Sequence, residues 1–195
     1  MVGNEKLIMV KERKIKIGTV TGLAYTSFGG DILQIEATRF TGKGRLVLTG
    51  QLGDVMKESA SIALDYVRTH ANEFKIDPKL FEENDVHIHV PEGAVPKDGP
   101  SAGVTMTTAL VSCFSNIPVK ANLAMTGEVT LRGNVLPIGG LKEKSLAAHR
   151  SGIDTILIPK ENVKDLDDVP QEVKDAVTFI PCSNVSQVLH NALVK

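Results

Sequence analysis

The chain has 195 residues, a formal net charge of −1 at pH 7, 42% hydrophobic residues and 23% charged residues. These values are typical of a globular protein with one substantial core or at most two small domains. The balanced charge, the absence of Trp and the 4% aromatic content argue against a nucleic-acid-binding surface, and no apolar run is long enough to cross a membrane.

The first half of the chain predicts strands followed by one long helix. Met1–Lys16 mixes charged and apolar residues without a clear period, as expected of a linker. Val20–Tyr25, Ile32–Thr38 and Arg45–Thr49 have the composition of strands joined by short turns, which predicts an antiparallel meander. Gly50–Phe74 carries the longest helical pattern, with a predicted buried stripe at three-to-four spacing. The stripe consists of Leu52, Val55, Met56, Ala60, Ala63 and Val67.

The next predicted strand carries two histidines. Val86–Val90 places His87 and His89 on one face of the strand and Ile88 on the other. The two histidines could be metal ligands, but no third ligand lies nearby in the sequence. Structural or hydrogen-bonding histidines are therefore the favoured interpretation.

The second half of the chain predicts short strands that alternate with helices. The strands are predicted at Leu123–Met125, Thr155–Ile158 and Val177–Ile180, with a hairpin between Val129 and Val135. The helices or helical turns are predicted at Val104–Phe114, Leu141–Arg150, Asn162–Asp168, Gln171–Asp175 and Asn184–Leu193. The expected fold class is α+β, with antiparallel or mixed sheets and packed helices.

The stretch Pro96–Gly103, with the sequence PKDGPSAG, lies between a predicted strand and a predicted helix. Ser101 is expected in the first turn of that helix, because Pro100 supplies a φ suited to a helix start. A serine hydroxyl at this place can attack a carbonyl, and the free amides of the helix N-terminus can hold the oxyanion that results. The alternative is that Ser101 is only a helix cap.

The predicted helix Leu141–Arg150 contains two lysines, which helical geometry distinguishes. At roughly 100° per residue, Lys144 falls on the stripe of small and apolar residues that is most suited to packing, whereas Lys142 lies away from it. Burial disfavours an ammonium and lowers the pKa of a lysine, and a neutral amine can take a proton from a serine hydroxyl. The alternative is a surface lysine whose stem covers apolar neighbours.

Three long segments, PEGAVPKDGPSAG, MTGEVTLRGNVLPIGG and LKEKSLAAHRSG, closely resemble the proteolytic domain of the bacterial Lon protease family. The resemblance runs from about Gly18 to the C-terminus. It implies the Lon protease domain fold and a Ser-Lys dyad made of Ser101 and Lys144. It also implies that Thr126 supports the lysine amine and that Asp98 matches a residue whose position differs between active and inactive loops.

Further positions follow from the same resemblance. Glu36, His87 and His89 match polar positions near the serine loop of the family. Some relatives have a cysteine placed to bond with the one at Cys113. That place is Arg39 in this chain, so no such disulfide is expected, and the cysteines fit reduced thiols.

The resemblance implies a serine endopeptidase that needs no metal and no nucleotide for its chemistry. The oxyanion is expected to be held by the Ser101 amide and by a neighbouring loop amide at Asp98 or Gly99. The substrate is expected to lie as an added strand along Val90–Val95.

The full-length enzymes of the family place an AAA+ ATPase module, which uses ATP and Mg²⁺, ahead of this domain, and they work as hexameric rings. The present sequence has no Walker A pattern. We therefore expect an excised domain, with residues 1–17 as a junction remnant and residues 18–195 as the protease domain. The implied partners are unfolded or misfolded proteins and further copies of the chain, in cytoplasmic protein quality control, with no membrane or nucleic acid.

Two other functions remain open from the sequence. The GPSAG segment could imitate the phosphate loop of a nucleotide- or phosphate-binding module with a related α+β fold, although Lys144 would then have no role. Alternatively, the same motifs could form the interface of a non-catalytic ring-assembly domain.

Overall fold

The computed structural model describes residues 15–194. Most of the predicted junction, residues 1–17, lies outside the described residues. Within them, Lys16 forms an isolated antiparallel bridge with Val119. The domain boundary after residue 17 stays a prediction.

The described residues form strands, α-helices and one 3-10 helix. The strands are β1 (Thr19–Thr26), β2 (Gly29–Thr41), β3 (Leu46–Thr49), β4 (Asn84–His89), β5 (Leu123–Met125), β6 (Glu128–Val129), β7 (Val135–Leu136), β8 (Thr155–Pro159) and β9 (Thr178–Cys182). The helices are α1 (Asp54–Thr69), α2 (Leu80–Glu83), α3 (Gly103–Ser115), α4 (Leu141–Arg150), α5 (Gln171–Ala176) and α6 (Val185–Ala192), and the 3-10 helix is Lys160–Asp168.

Seven of these strands form one mixed sheet, in the order β3-β4-β2-β1-β5-β8-β9. The pairs β1–β2 and β2–β4 are antiparallel, whereas the remaining neighbours are parallel. Strands β6 and β7 form a separate hairpin, as predicted. The α+β class with a mixed sheet and packed helices is confirmed.

The predicted meander of the first three strands is wrong. Strand β4 lies between β2 and β3, and β3 pairs with β4 in parallel. The Asp85 carboxylate of β4 accepts hydrogen bonds from the Lys43 and Arg45 amides of the turn after β2, at 3.0 and 2.8 Å. Strand β2 therefore continues to Thr41, beyond the predicted end at Thr38, and the local pattern did not reveal that a later strand binds to the turn after it.

Helix α3 is the centre of the fold and is buried from Gly103 to Phe114. Helix α1 packs against it, although its buried face differs from the predicted stripe. Val55 is 42% exposed, and Leu52 is buried but precedes the helix. The buried face includes Ser59, Leu64 and Tyr66 together with the correctly predicted Met56, Ala60, Ala63 and Val67.

The bounds of α4 agree with the predicted helix Leu141–Arg150. Its buried residues pack in a second apolar cluster with β8 and α5, whose members include Leu141, Ala148, Ile156 and Val173. No helix among the described residues combines the length and the apolar character needed to cross a bilayer.

Candidate active site

A cavity of about 950 Å³ lies where the loop before α3 meets the N-terminal part of α4. Ser101 and Lys144, which come from these two elements, both line it. Apolar residues from β1, β2 and the loop before α4 form much of its wall. The structure therefore brings the two predicted reacting residues to one cavity, although they are far apart in the sequence.

Ser101 lies in a turn two residues before α3, rather than in its first helical turn as predicted. Backbone hydrogen bonds fix this turn, because the Ser101 carbonyl accepts from Gly127 N at 2.9 Å and the Gly127 carbonyl accepts from Val104 N at 3.0 Å. The residue at the N-cap of α3 is Ala102, with no side-chain cap. The Ser101 hydroxyl is therefore not occupied as a helix cap.

Lys144 is 3% exposed, whereas Lys142 is exposed to solvent. Burial lowers the pKa of the Lys144 amine from its ordinary 10.5 to about 8. Its Nζ donates a hydrogen bond of 3.1 Å to Oγ1 of Thr126, which is itself 1% exposed. The helix-face prediction thus selected the buried lysine, and the structure places Thr126 against its amine.

The amine of Lys144 is not yet bonded to the serine. Among the hydrogen bonds of the described residues, none joins Lys144 Nζ to Ser101 Oγ. Catalytic hydrogen bonds are often long or poorly aligned without substrate, so the missing bond does not argue against Lys144 as a base. The relevant observation is that both side chains line the same cavity.

Asp98 is directed to α1 and not to the lysine. Its Oδ1 accepts hydrogen bonds of 2.9 Å from the amides of Met56 and Gly99. These amides hold the pKa of Asp98 below its ordinary value. Gly53 is the N-cap residue of α1 and has no side chain to cap it, so Asp98 supplies the capping carboxylate from another part of the chain.

The predicted oxyanion donors differ in availability. The Gly99 amide is bonded to Asp98 and is therefore not free in this structure, which weakens its predicted role. Among the described residues, the Ser101 amide has no hydrogen-bond acceptor.

The histidine pair lies away from the cavity. The hydroxyl of Thr49 lies 2.8 Å from His87 Nε2 and 2.6 Å from His89 Nδ1, while Glu36 pairs with His89 across β2 and β4. The hydrogen-bonding interpretation of the two histidines is confirmed, and none of these residues lines the cavity. In the described part of the chain, no group of three or more His, Cys, Asp or Glu could hold a metal ion.

The two cysteines are buried free thiols. Burial raises the pKa of Cys113 and of Cys182 to about 11. Arg39, which stands where a disulfide partner was considered, donates a hydrogen bond of 3.3 Å from Nε to the Cys113 carbonyl. Neither thiol lines the cavity.

Sequence reasoning missed one residue that orders the cavity wall. Asn162 is 2% exposed, and its side-chain amide bonds to both backbone groups of Ile138, at 2.9 and 2.8 Å. Ile138 lines the cavity in the loop that leads into α4. An isolated Asn in a polar segment carries no signal of this role, because its partner lies 24 residues away.

The whole chain, residues 1–195, matches the family model of the Lon protease (S16) C-terminal proteolytic domain. The chain belongs to this family. It is 60% identical over 184 residues to the Lon protease of Brevibacillus choshinensis, which covers 94% of this chain and 24% of that protein. It is also 58% identical over 183 residues to Lon protease 1 of Bacillus subtilis (strain 168), with the same two coverages.

A third relative, the Lon protease of Mycoplasma mycoides subsp. mycoides SC, is 61% identical over 178 residues, covering 91% of this chain and 22% of that protein. This Lon-family domain therefore spans about a quarter of the length of the relatives that it matches. Membership makes the chain a proteolytic domain, and the cavity that holds Ser101 and Lys144 is its candidate active site.

Proposed function

We propose that this domain is a serine endopeptidase that hydrolyses peptide bonds of unfolded or misfolded proteins, with Ser101 as nucleophile and Lys144 as general base. One observation supports this proposal above the others. A buried lysine with a pKa of about 8 opens into the same cavity as a serine that does not cap its helix. A base with a pKa near the working pH is suited to proton transfer.

In the proposed reaction, the neutral amine of Lys144 accepts the hydroxyl proton of Ser101 as its Oγ attacks the scissile carbonyl carbon. The Ser101 amide donates a hydrogen bond to the oxyanion of the tetrahedral intermediate. The Lys144 ammonium then gives its proton to the leaving amine as the peptide C–N bond breaks. Water then loses a proton to Lys144 as its oxygen attacks the acyl carbon, and the Lys144 ammonium returns a proton to Ser101 Oγ as the ester bond breaks, which releases the carboxylic acid product and regenerates both groups.

Thr126 assists this cycle by accepting a hydrogen bond from the amine and so orienting it within its buried site. The acceptor favours the ammonium, whereas burial opposes it, and burial dominates. The result is an amine that is available as a base at mildly alkaline pH.

The substrate is proposed to bind along β2. The position expected from the sequence, along Val90–Val95, stays a prediction, and β2 is the better-supported edge because the Val95 amide bonds back to the Glu92 carbonyl in a turn. Residues 29–35 of β2 pair with β1 on one side, and no described strand pairs with them on the other. Residues 31–34 of this open edge line the cavity, so an extended peptide can add there as a strand.

We also propose, from the family resemblance, how the domain works within a full-length enzyme. ATP and Mg²⁺ would act at an ATPase module in the unfolding and delivery of substrates and would have no part in bond cleavage at this cavity. Copies of the domain would assemble as a hexameric ring in the full-length enzyme. A cytoplasmic location and a role in protein quality control belong to the same proposal.

The phosphate-binding alternative is not favoured by the site. That alternative gives no role to a buried lysine whose pKa burial lowers to about 8. A non-catalytic assembly module gives no reason to bury a lysine in the same cavity as a serine that does not cap its helix.

The test is cleavage of a fluorogenic peptide by the wild type and by Ser101→Ala, together with labelling by a peptide boronate. We expect cleavage and boronate labelling of the wild type only. A Ser101→Ala variant that cleaves as fast as the wild type would overturn the proposal.

A further inference from the structure

The second lysine of the cavity, Lys97, has a very different environment from Lys144. Its Nζ donates hydrogen bonds to three backbone carbonyls, of Gly50 at 2.9 Å, of Glu92 at 2.5 Å and of Val95 at 2.7 Å. An ammonium has three N–H donors, so these carbonyls use its full donor capacity. Lys97 therefore has no donor left for a substrate.

The three acceptors come from two separate parts of the chain. Gly50 follows β3, whereas Glu92 and Val95 belong to the segment before α3, which we call the serine loop (residues 90–102). Gly50 and Lys97 are 47 residues apart in the sequence. The ammonium thus joins the serine loop to the segment between β3 and α1.

The backbone repeats this connection. The Lys97 amide donates to the Gln51 carbonyl at 3.1 Å, and the Gly53 amide donates to the Lys97 carbonyl at 2.7 Å. One residue later, Asp98 caps α1 through the Met56 amide. With the side-chain bond to Gly50, four hydrogen bonds tie two consecutive residues of the serine loop to residues 50–56.

The bonding pattern requires a charged group with three diverging donors. Partial burial holds the pKa of Lys97 below its ordinary value against the smaller, opposing effect of nearby Glu92, and the three carbonyl acceptors are matched to an ammonium with three donors. A glutamine amide has only two donors, and the planar guanidinium of arginine directs its donors along a fork. Without the cation, the three carbonyl dipoles would converge on one point with no shared donor between them.

We propose that Lys97 is a positioning residue, whose ammonium tethers the serine loop to residues 50–56 and thereby sets the place of Ser101 relative to Lys144. The inference rests on the proposed function for its effect on catalysis. The tether itself does not depend on that function. Lys97 acts through the backbone of its loop and touches no reacting atom.

The experiment removes the ammonium and then restores it chemically. Lys97→Cys is treated with 2-bromoethylamine, which rebuilds a side chain of lysine length with a terminal ammonium, or with iodoacetamide, which adds a neutral amide. The native thiols, Cys113 and Cys182, are buried and have pKa values of about 11, so they react slowly. Wild-type protein treated with each reagent is the matched control.

The first readout is kinetic. We expect kcat for peptide cleavage to fall at least about tenfold in Lys97→Cys with a smaller change in KM, because a displaced nucleophile affects chemistry more than binding. The 2-bromoethylamine adduct should recover most of the loss, and the neutral adduct should not. Equal recovery by both adducts, or near-wild-type kcat without any adduct, would overturn the proposal.

The second readout separates the tether from the enzymatic activity. Hydrogen exchange of residues 50–56 and 90–99 should become faster in Lys97→Cys and slow again only with the charged adduct. If this pattern appears but the wild type cleaves no peptide, the tether stands and the proposed function fails. If exchange does not respond to the charge, the tether is wrong whatever the activity, and Lys97→Gln provides a second uncharged variant should Lys97→Cys not fold.

Discussion

The serine loop and helix α4 supply the two proposed reacting groups, and they are held in place by different forces. Residues 92–96 of the loop are exposed, and the segment is fixed to residues 50–56 by a hydrogen bond that Lys97 donates to the Gly50 carbonyl and one that Asp98 accepts from the Met56 amide. Helix α4 is held by apolar packing, which includes Leu141 and Ala148. The nucleophile is thus placed by polar bonds and the base by burial.

This difference has an energetic consequence. The burial that lowers the pKa of Lys144 also lowers the free energy of unfolding, because a charged amine is unfavourable in an apolar site. The hydrogen bonds that join Lys97 and Asp98 to residues 50–56 are partly buried, and a typical hydrogen bond contributes only about 1 kcal/mol to stability. Changes around α4 should therefore affect activity and stability together, whereas changes at the loop should affect mainly activity.

The largest expected effect is the loss of activity on removal of either reacting group. Ser101→Ala and Lys144→Met should each lower kcat/KM for a peptide by about a thousandfold or more, and the double variant should be no worse, because the two groups act as a unit. The matched control is Lys142→Met, on the exposed face of α4, which should keep most of the activity. An inactive Lys142→Met beside an active Lys144→Met would show that the wrong lysine was selected.

The second prediction concerns the stability of Lys144→Met. The pKa of this amine falls from 10.5 to about 8 on folding, so the unfolded chain binds more protons between these pH values and wild-type stability should rise with pH through this range. Below pH 8 the full penalty is present, and it corresponds to about 3 kcal/mol. Lys144→Met should therefore unfold with a free energy up to about 3 kcal/mol higher at pH 7, measured by urea denaturation.

The control for that measurement is again Lys142→Met, which should change the free energy of unfolding by less than about 0.5 kcal/mol. A Lys144→Met variant that is less stable than the wild type at pH 7 would contradict the account of charge burial.

The third prediction concerns the loop that leads into α4. Asn162→Ala should lower the free energy of unfolding by about 2 kcal/mol, because it removes the partners of the Ile138 amide and carbonyl. Asn191→Ala removes only an exposed bond to the Gln187 carbonyl and should have a much smaller effect. Equal thermal and urea stability of the two variants would show that Asn162 does not brace this loop.

The fourth prediction concerns the contact between the serine loop and the start of α1. A Cβ at Gly53 would overlap the Asp98 carboxylate, so Gly53→Ala should displace Asp98 from the start of α1 and lower kcat about tenfold. The free energy of unfolding should fall by about 1 kcal/mol, the typical effect of losing a helix N-cap. Gly93→Ala, where a Cβ meets nothing within 4 Å, is the control and should retain activity.

The sequence predicted features that depend on near neighbours along the chain. Lys144 was distinguished from Lys142 because helical periodicity and small apolar neighbours are local signals, and the bounds of α4 followed from the same pattern. Gly133, with a φ of 83°, lies in the predicted turn of the β6–β7 hairpin. Ser101 and Lys144 were selected as candidate reacting residues by this local chemistry together with the family resemblance, and their roles stay a proposal.

Features that depend on distant partners were not predictable. The carboxylate of Asp98 caps a helix whose Met56 amide is 42 residues away, and no pattern around Asp98 identifies that helix. Strand β3 pairs with β4 although two helices separate them in the chain. The burial of Val55 was predicted wrongly for the same reason. Periodicity identifies the apolar face of a helix, but it does not show which element covers that face.

If Lys144 acts as a base because burial lowers its pKa, the pH dependence of kcat/KM should report that pKa. The ammonium cannot accept a proton, so cleavage should be absent at acidic pH and should rise through a half-maximum near pH 8. Thr126→Val removes the acceptor that favours the ammonium and should move this half-maximum to lower pH, whereas Thr126→Ser should restore it. A profile that is flat between pH 6 and pH 10, or that rises only near the ordinary lysine pKa of 10.5, would contradict the account.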